Sequence, residues 1–105
     1  MTESIKWDGT SPIDHEPIIK TALLSYITAE EKEKAAIISY GDLGGILKKS
    51  HGSSFHGGSY GECIIQSDIK GVTVNILDLN IKYEMTWNKA AKAIHRWIKE
   101  STENG

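Results

Sequence analysis

Hydrophobic positions recur first at helical spacing. Ile18, Ile19, Ala22, Leu23, Tyr26 and Ile27 fall on one face, which predicts a helix capped by Asp14, with Pro17 in its first turn, where a missing amide proton costs nothing. The next segment, TAEEKEKAA from Thr28 to Ala36, is polar on all sides. It reads as a solvated connector or a helical extension in which Thr28 and Glu31 have capping-box spacing. AAIIS, Ala35 to Ser39, predicts a minimal strand, after which Ser39 caps a second helix over YGDLGGILKK. Tyr40, Leu43, Ile46 and Leu47 share the apolar face of that helix. Gly41, Gly44 and Gly45 weaken it by about 1 kcal/mol each relative to alanine, so close packing against a neighbour must compensate.

The pattern breaks at KKSHGSSFHGGSYGE, Lys48 to Glu62, which holds four glycines, four serines and two histidines in fifteen residues. Beyond it, Ser59 and Glu62 again have capping-box spacing, and Tyr60, Cys63, Ile64 and Ile65 supply the apolar side of a short third helix reaching about Asp68. Val72, Val74 and Ile76 then alternate with Thr73, Asn75 and Leu77, the signature of a strand, and IKYEM is its hairpin partner through an irregular turn near Asp78 to Asn80. Thr86 opens a last helix whose Trp87, Ala90, Ala91, Ile94, Trp97 and Ile98 form one stripe, before STENG ends the chain as a polar tail. These elements predict a single α+β domain over residues 1–105, with 1–13 and 101–105 flexible. Their order is that of a small winged helix-turn-helix with a β-hairpin and an added C-terminal helix.

Composition narrows the function. A chain of 105 residues suits one core, and no apolar run approaches the roughly 20 residues of a membrane span. The N-terminal MTESIKWDGTSPIDHEP lacks the features of a secretory signal, and Cys63 is the single cysteine, so a reducing cytoplasmic location is the expectation. A formal net charge of −2 excludes both a strongly basic nucleic-acid protein and an acidic DNA mimic. Charge is instead distributed locally: residues 1–35 carry seven acids against four lysines, whereas Lys48 with Lys49, and the stretch Lys89 to Lys99, are basic.

Lys48, Lys49, His51, Ser54, His56, Gly57, Gly58, Ser59 and Tyr60 form the candidate anion-binding surface, combining cations, hydroxyl donors and glycines that admit close backbone approach. Lys89, Lys92, Arg96 and Lys99, with Trp97 beside them, form a basic and aromatic stripe that is a candidate protein interface. His15, His51, His56, His95 and Cys63 lack the paired spacings of structural zinc, and neither a nucleophile elbow nor a phosphate-binding loop occurs. The expectation is therefore no catalytic residue, no metal and no cofactor.

Ser39, Tyr40, Gly41, Asp42 and Leu43, within ISYGDLGGIL, resemble the TYGELA-type opening in the winged-helix DNA-binding part of alkylguanine-DNA alkyltransferases and alkyltransferase-like proteins. The resemblance implies a DNA-binding winged helix. It does not extend to alkyl transfer, because that family's proline-cysteine-histidine-arginine active site has no counterpart and Cys63 lies in GECIIQ. Two functions follow as expectations. One is a non-enzymatic DNA-binding or regulatory module using the 48–60 segment and the third-helix start. The other is a small inhibitor or immunity-type protein that binds a component of a microbial defence or toxin system. Self-association into a homodimer is compatible with either, and no membrane partner is expected.

Overall fold

Alternation, rather than helical spacing, governs residues 56–86 apart from one 3-10 turn. The computed structural model describes residues 3–52 and 56–104. The elements are β1 (Glu3–Lys6), α1 (Glu16–Tyr26), α2 (Ala29–Ala35), α3 (Tyr40–His51), β2 (His56–Tyr60), β3 (Cys63–Asp68), β4 (Gly71–Ile76), a 3-10 turn (Leu77–Leu79), β5 (Ile81–Thr86) and α4 (Trp87–Asn104). The strands make one mixed sheet in the order β1-β5-β4-β3-β2, antiparallel except for the parallel β1–β5 pair.

Period-two burial separates the two faces of the sheet. Cys63, Ile65 and Ser67 on β3, Val72, Val74 and Ile76 on β4, and Tyr83 and Met85 on β5 are buried. Beneath the helices they join Ile19, Leu23, Leu43, Leu47, Ile94 and Trp97 in one core. α1 lies over β2 to β4, α4 over β4 and β5, and α3 packs against α4. The opposite sheet face is left to solvent. One cross-strand row there runs Lys6, Glu84, Thr73, Gln66, and the next runs Ser4, Lys82, Asn75, Ile64.

Several sequence expectations are corrected. The predicted third helix over 59–68 is the β2–β3 hairpin, turned at Gly61 with φ +61, a conformation only glycine adopts without strain. Its capping-box spacing was coincidental, because the alternation of buried Cys63, Ile65 and Ser67 with outward Ile64, Gln66 and Asp68 decides the element. Without that helix the helix-turn-helix has no recognition element, and the two-strand wing is part of a five-stranded sheet. The AAIIS strand is absent: Ala35 ends α2, and the amides of Ala36, Ile37 and Ile38 bond back to Glu33 and Lys34 carbonyls, leaving Ile37 exposed. α1 has His15 rather than Asp14 at its N-cap.

Residues 3–13 are also built into the fold, despite reading as a flexible lead-in. β1 pairs with β5, Trp7 is buried and stacks on Trp97 at 6.0 Å, and Trp7 Nε1 donates to the Ser11 carbonyl at 2.9 Å. At the other end α4 continues through 101–104. Thr28 and Glu31 do form a capping box, Ser39 does cap α3, and Leu43 and Leu47 face the core as their spacing predicts, although Tyr40 is largely exposed. Of the three α3 glycines, Gly44 marks the close crossing: a Cβ there would lie 2.4 Å from Asn88 Oδ1 on α4.

Candidate functional site

The turn between β3 and β4 is short because Asp68 pairs directly with Gly71 across it. The Asp68 carboxylate accepts from the amides of Lys70 at 2.9 Å and Gly71 at 3.3 Å, which holds Ile69 and Lys70 outward. Gly71 is demanded by its neighbour, since a Cβ would lie 2.1 Å from the Met85 carbonyl oxygen. Trp87, the first residue of α4, donates from Nε1 to the Asp68 carbonyl at 2.7 Å and ties this turn to the helix.

Two depressions flank the turn. One, of about 330 Å³, lies between the C-terminal part of α3 and Ile69 and is bordered by Lys48 and Lys49. The other is a groove of about 430 Å³ at the solvent-facing end of the sheet, where Lys6, Lys70 and Lys89 meet beside Asp68, Glu84 and Thr86. Five lysines, three at the groove and two at the smaller depression, thus flank the β3–β4 turn as a basic band in two groups. Among the described residues none of the five has a carboxylate within ion-pair distance. The two acids in the groove have protein donors instead: Asp68 its own turn amides, and Glu84 the Ser4 hydroxyl.

A polar cluster fastens the elements that carry the band. Glu31, buried on α2, accepts from its own cap amide at Thr28 at 2.8 Å and from His51 Nε2 at 2.9 and 3.0 Å. Burial opposes charge on Glu31, but the Thr28 amide, the His51 hydrogen bond and attraction to His51 outweigh it and hold the carboxyl below its ordinary value. Ser67 donates to the His51 carbonyl at 3.0 Å and pairs with the Tyr26 hydroxyl at 2.5 Å. Burial pushes the Tyr26 phenol up, against the Ser67 hydrogen bond. The His51 ring packs between Tyr26 at 4.8 Å and Trp87 at 6.1 Å. α1, α2 and α4 therefore meet at the His51 imidazole of α3, and β3 holds the same residue through its carbonyl.

The expected anion surface is split by the fold. Lys48 and Lys49 are exposed in the last turn of α3 and belong to the band, whereas His51 turns inward to Glu31. Ser54 lies outside the described residues, and the His56 backbone begins β2. Gly57 and Ser59 face solvent from that edge strand. Gly58 and Tyr60 face the helices: the Tyr60 ring lies over Gly58 and meets Tyr26 edge-on at 5.1 Å. Among the described residues of 48–60 no helix begins.

The expected protein interface is also divided. Trp97 is a core residue at 1% exposure, and Arg96 donates to the Gly9 carbonyl at 3.2 Å and to Glu16 at 2.6 Å, clamping α4 to the N-terminal segment. Lys92 lies 5.1 Å from the Tyr40 ring centroid, Lys89 joins the band, and Lys99 is exposed. Lys6 and Lys70, isolated in ESIKW and SDIKG, escaped sequence reasoning; the turn signal in Asp68 to Gly71 was the clue to Lys70. Among the described residues no cluster of three or more histidine, cysteine or acidic side chains could hold a metal ion, and no helix is long and apolar enough to cross a membrane. Burial, then the nearby Glu62 charge, pushes the Cys63 thiol up, away from the reactive thiolate. No protein-family model, no curated protein and no solved structure matches the chain.

Proposed function

We propose that the protein is a non-enzymatic module that binds the phosphate backbone of nucleic acid, duplex DNA first, through Lys48, Lys49, Lys70, Lys89 and Lys6. The observation that carries this reading is the placement of five lysines, outside any ion pair among the described residues, in the two depressions that flank the β3–β4 turn. Backbone binding needs cations spaced along a surface and no base-reading helix, because neutralising phosphates releases condensed counterions whatever the sequence. In this arrangement the β3–β4 turn meets the backbone, and the C-terminal turn of α3 flanks it. The acids of α1 and α2 lie on other elements, so the local field of the lysines, reduced by Asp68 and Glu84 in the groove, sets the contact against a net charge of −2. Fluorescence anisotropy with unrelated duplexes across a salt series is the test. Binding that weakens steeply with salt and is indifferent to sequence is expected, and its absence would sink the reading.

A second reading, an inhibitor-type protein with a protein target, is favoured by a different observation. Ile37 is 82% exposed and Tyr40 44% exposed, and Lys92 lies over the Tyr40 ring. Exposed apolar side chains beside a cation suit a protein partner. Affinity for a protein that survives high salt and is lost in Ile37→Ser would support it.

A further inference from the structure

The groove at the sheet end differs from the rest of the band. Lys6 enters it from the end of β1, Lys70 from the β3–β4 turn and Lys89 from the first turn of α4. Thr86 borders it too and accepts the Lys89 amide at 3.3 Å, so the positive end of the α4 dipole adjoins the three lysines. Gly71 also lines it, with Thr73 and Gln66 beyond as neutral donors and acceptors.

We propose that this groove seats a phosphomonoester, the terminal phosphate of a nucleic-acid strand; this rests on the reading of the band as a nucleic-acid surface. An internal diester carries one negative charge and must continue in both directions. A monoester carries about −1.5 to −2 near neutral pH and ends the strand. Three cations and a helix end outweigh the groove's two carboxylates and converge on one place, which suits the second group. The volume of about 430 Å³ is enough to seat one nucleotide-sized group at the end of a strand. Asp68 and Glu84 keep their negative charges, with their hydrogen bonds going to turn amides and to Ser4, so the groove sets three lysines against two carboxylates while the lysine ammonium groups stay outside any ion pair among the described residues. Lys48 and Lys49, bordering the other depression, hold the backbone behind the terminus.

The experiment compares fluorescent oligonucleotides of one sequence, single-stranded and duplex, ending in 5′-phosphate, 3′-phosphate or hydroxyl, with adenosine monophosphate as free competitor. A terminal phosphate is expected to tighten binding about tenfold, the size of one added charge-assisted hydrogen bond. Lys70→Gln with Lys89→Gln should abolish that discrimination with the circular dichroism spectrum unchanged, whereas Lys48→Gln with Lys49→Gln should weaken phosphorylated and hydroxyl ends alike. Displacement by the free nucleotide would place the recognition in the monoester alone. Retained end discrimination without displacement would assign it to the strand terminus. Equal affinity for phosphorylated and hydroxyl ends would overturn this inference and leave backbone binding standing. Absence of salt-sensitive binding to any oligonucleotide would remove both.

Discussion

His51 Nε2 faces both carboxylate oxygens of Glu31, at 2.9 and 3.0 Å, joining the last residue of α3 to a buried acid on α2. Glu31 is almost wholly buried at 5% exposure in a segment that reads as solvated on every side. Removing the imidazole would leave that carboxylate short of a partner. His51→Ala is expected to destabilise the domain by about 1–3 kcal/mol, read from urea unfolding at neutral pH.

The same pair sets an acid limb to stability. Because the folded-state pKa of Glu31 is depressed, its contribution is complete above the ordinary carboxylate value of 4.5 and is lost as pH falls through the lower folded value. Wild-type protein and Glu31→Gln should differ most in unfolding free energy near neutral pH and converge in acid. A gap that stays constant from pH 7 to pH 3 would show that the Glu31 charge does not contribute.

How much of this was legible in the sequence depended on which signal each residue answers to. β4, β5 and α4 follow from strict period-two and helical stripes, with Val72, Val74, Ile76, Ile94 and Trp97 buried as the pattern requires. The β2–β3 hairpin was obscured because Tyr60, Cys63 and Ile64 also fit a helical stripe over so short a span, and the Ser59–Glu62 spacing favoured the wrong choice. β1 was invisible for another reason: ESIK has no alternation of its own, and parallel pairing with the distant β5 creates the strand. The lysines of α3 were visible as a cluster. Their partners Lys6 and Lys70 are brought in by sheet register and a turn, which no local window contains.

The N-terminal segment gives a direct measure of that long-range term. Trp7 is 2% exposed and stacked on Trp97, and Arg96 holds Gly9 and Glu16 to α4. Trp7→Ala should cost about 3–5 kcal/mol, comparable to a core truncation such as Ile94→Ala at about 2–5 kcal/mol. Thermal unfolding distinguishes this from a flexible lead-in, whose substitution would leave the transition in place.

Two glycines give opposite expectations for the same substitution. At Gly71 a methyl group would press into the Met85 carbonyl at 2.1 Å, so Gly71→Ala must displace β5 or the turn and is expected to destabilise. At Gly45, inside α3, nothing lies within 4 Å of an added Cβ, so Gly45→Ala should stabilise by roughly 0.5–1 kcal/mol through helix propensity. Denaturant midpoints of the two variants, measured side by side, should fall on either side of the wild type.

Charge reversal at the band separates electrostatics from folding. Lys48→Glu with Lys49→Glu, and Lys70→Glu with Lys89→Glu, change exposed side chains that are in no ion pair among the described residues, so stability should move by less than about 0.5 kcal/mol. Each pair should weaken binding to unrelated duplexes and flatten the dependence of log affinity on log salt by about one unit per lost phosphate contact. Lys99→Glu, on an exposed part of α4 away from both depressions, is the matched control and should leave the slope nearly unchanged. If Lys99→Glu flattens the slope as much as either band pair, net charge rather than the band governs association. If all variants bind as the wild type does, the lysines are an ordinary solvated face, and the Ile37–Tyr40 surface becomes the place to seek a partner.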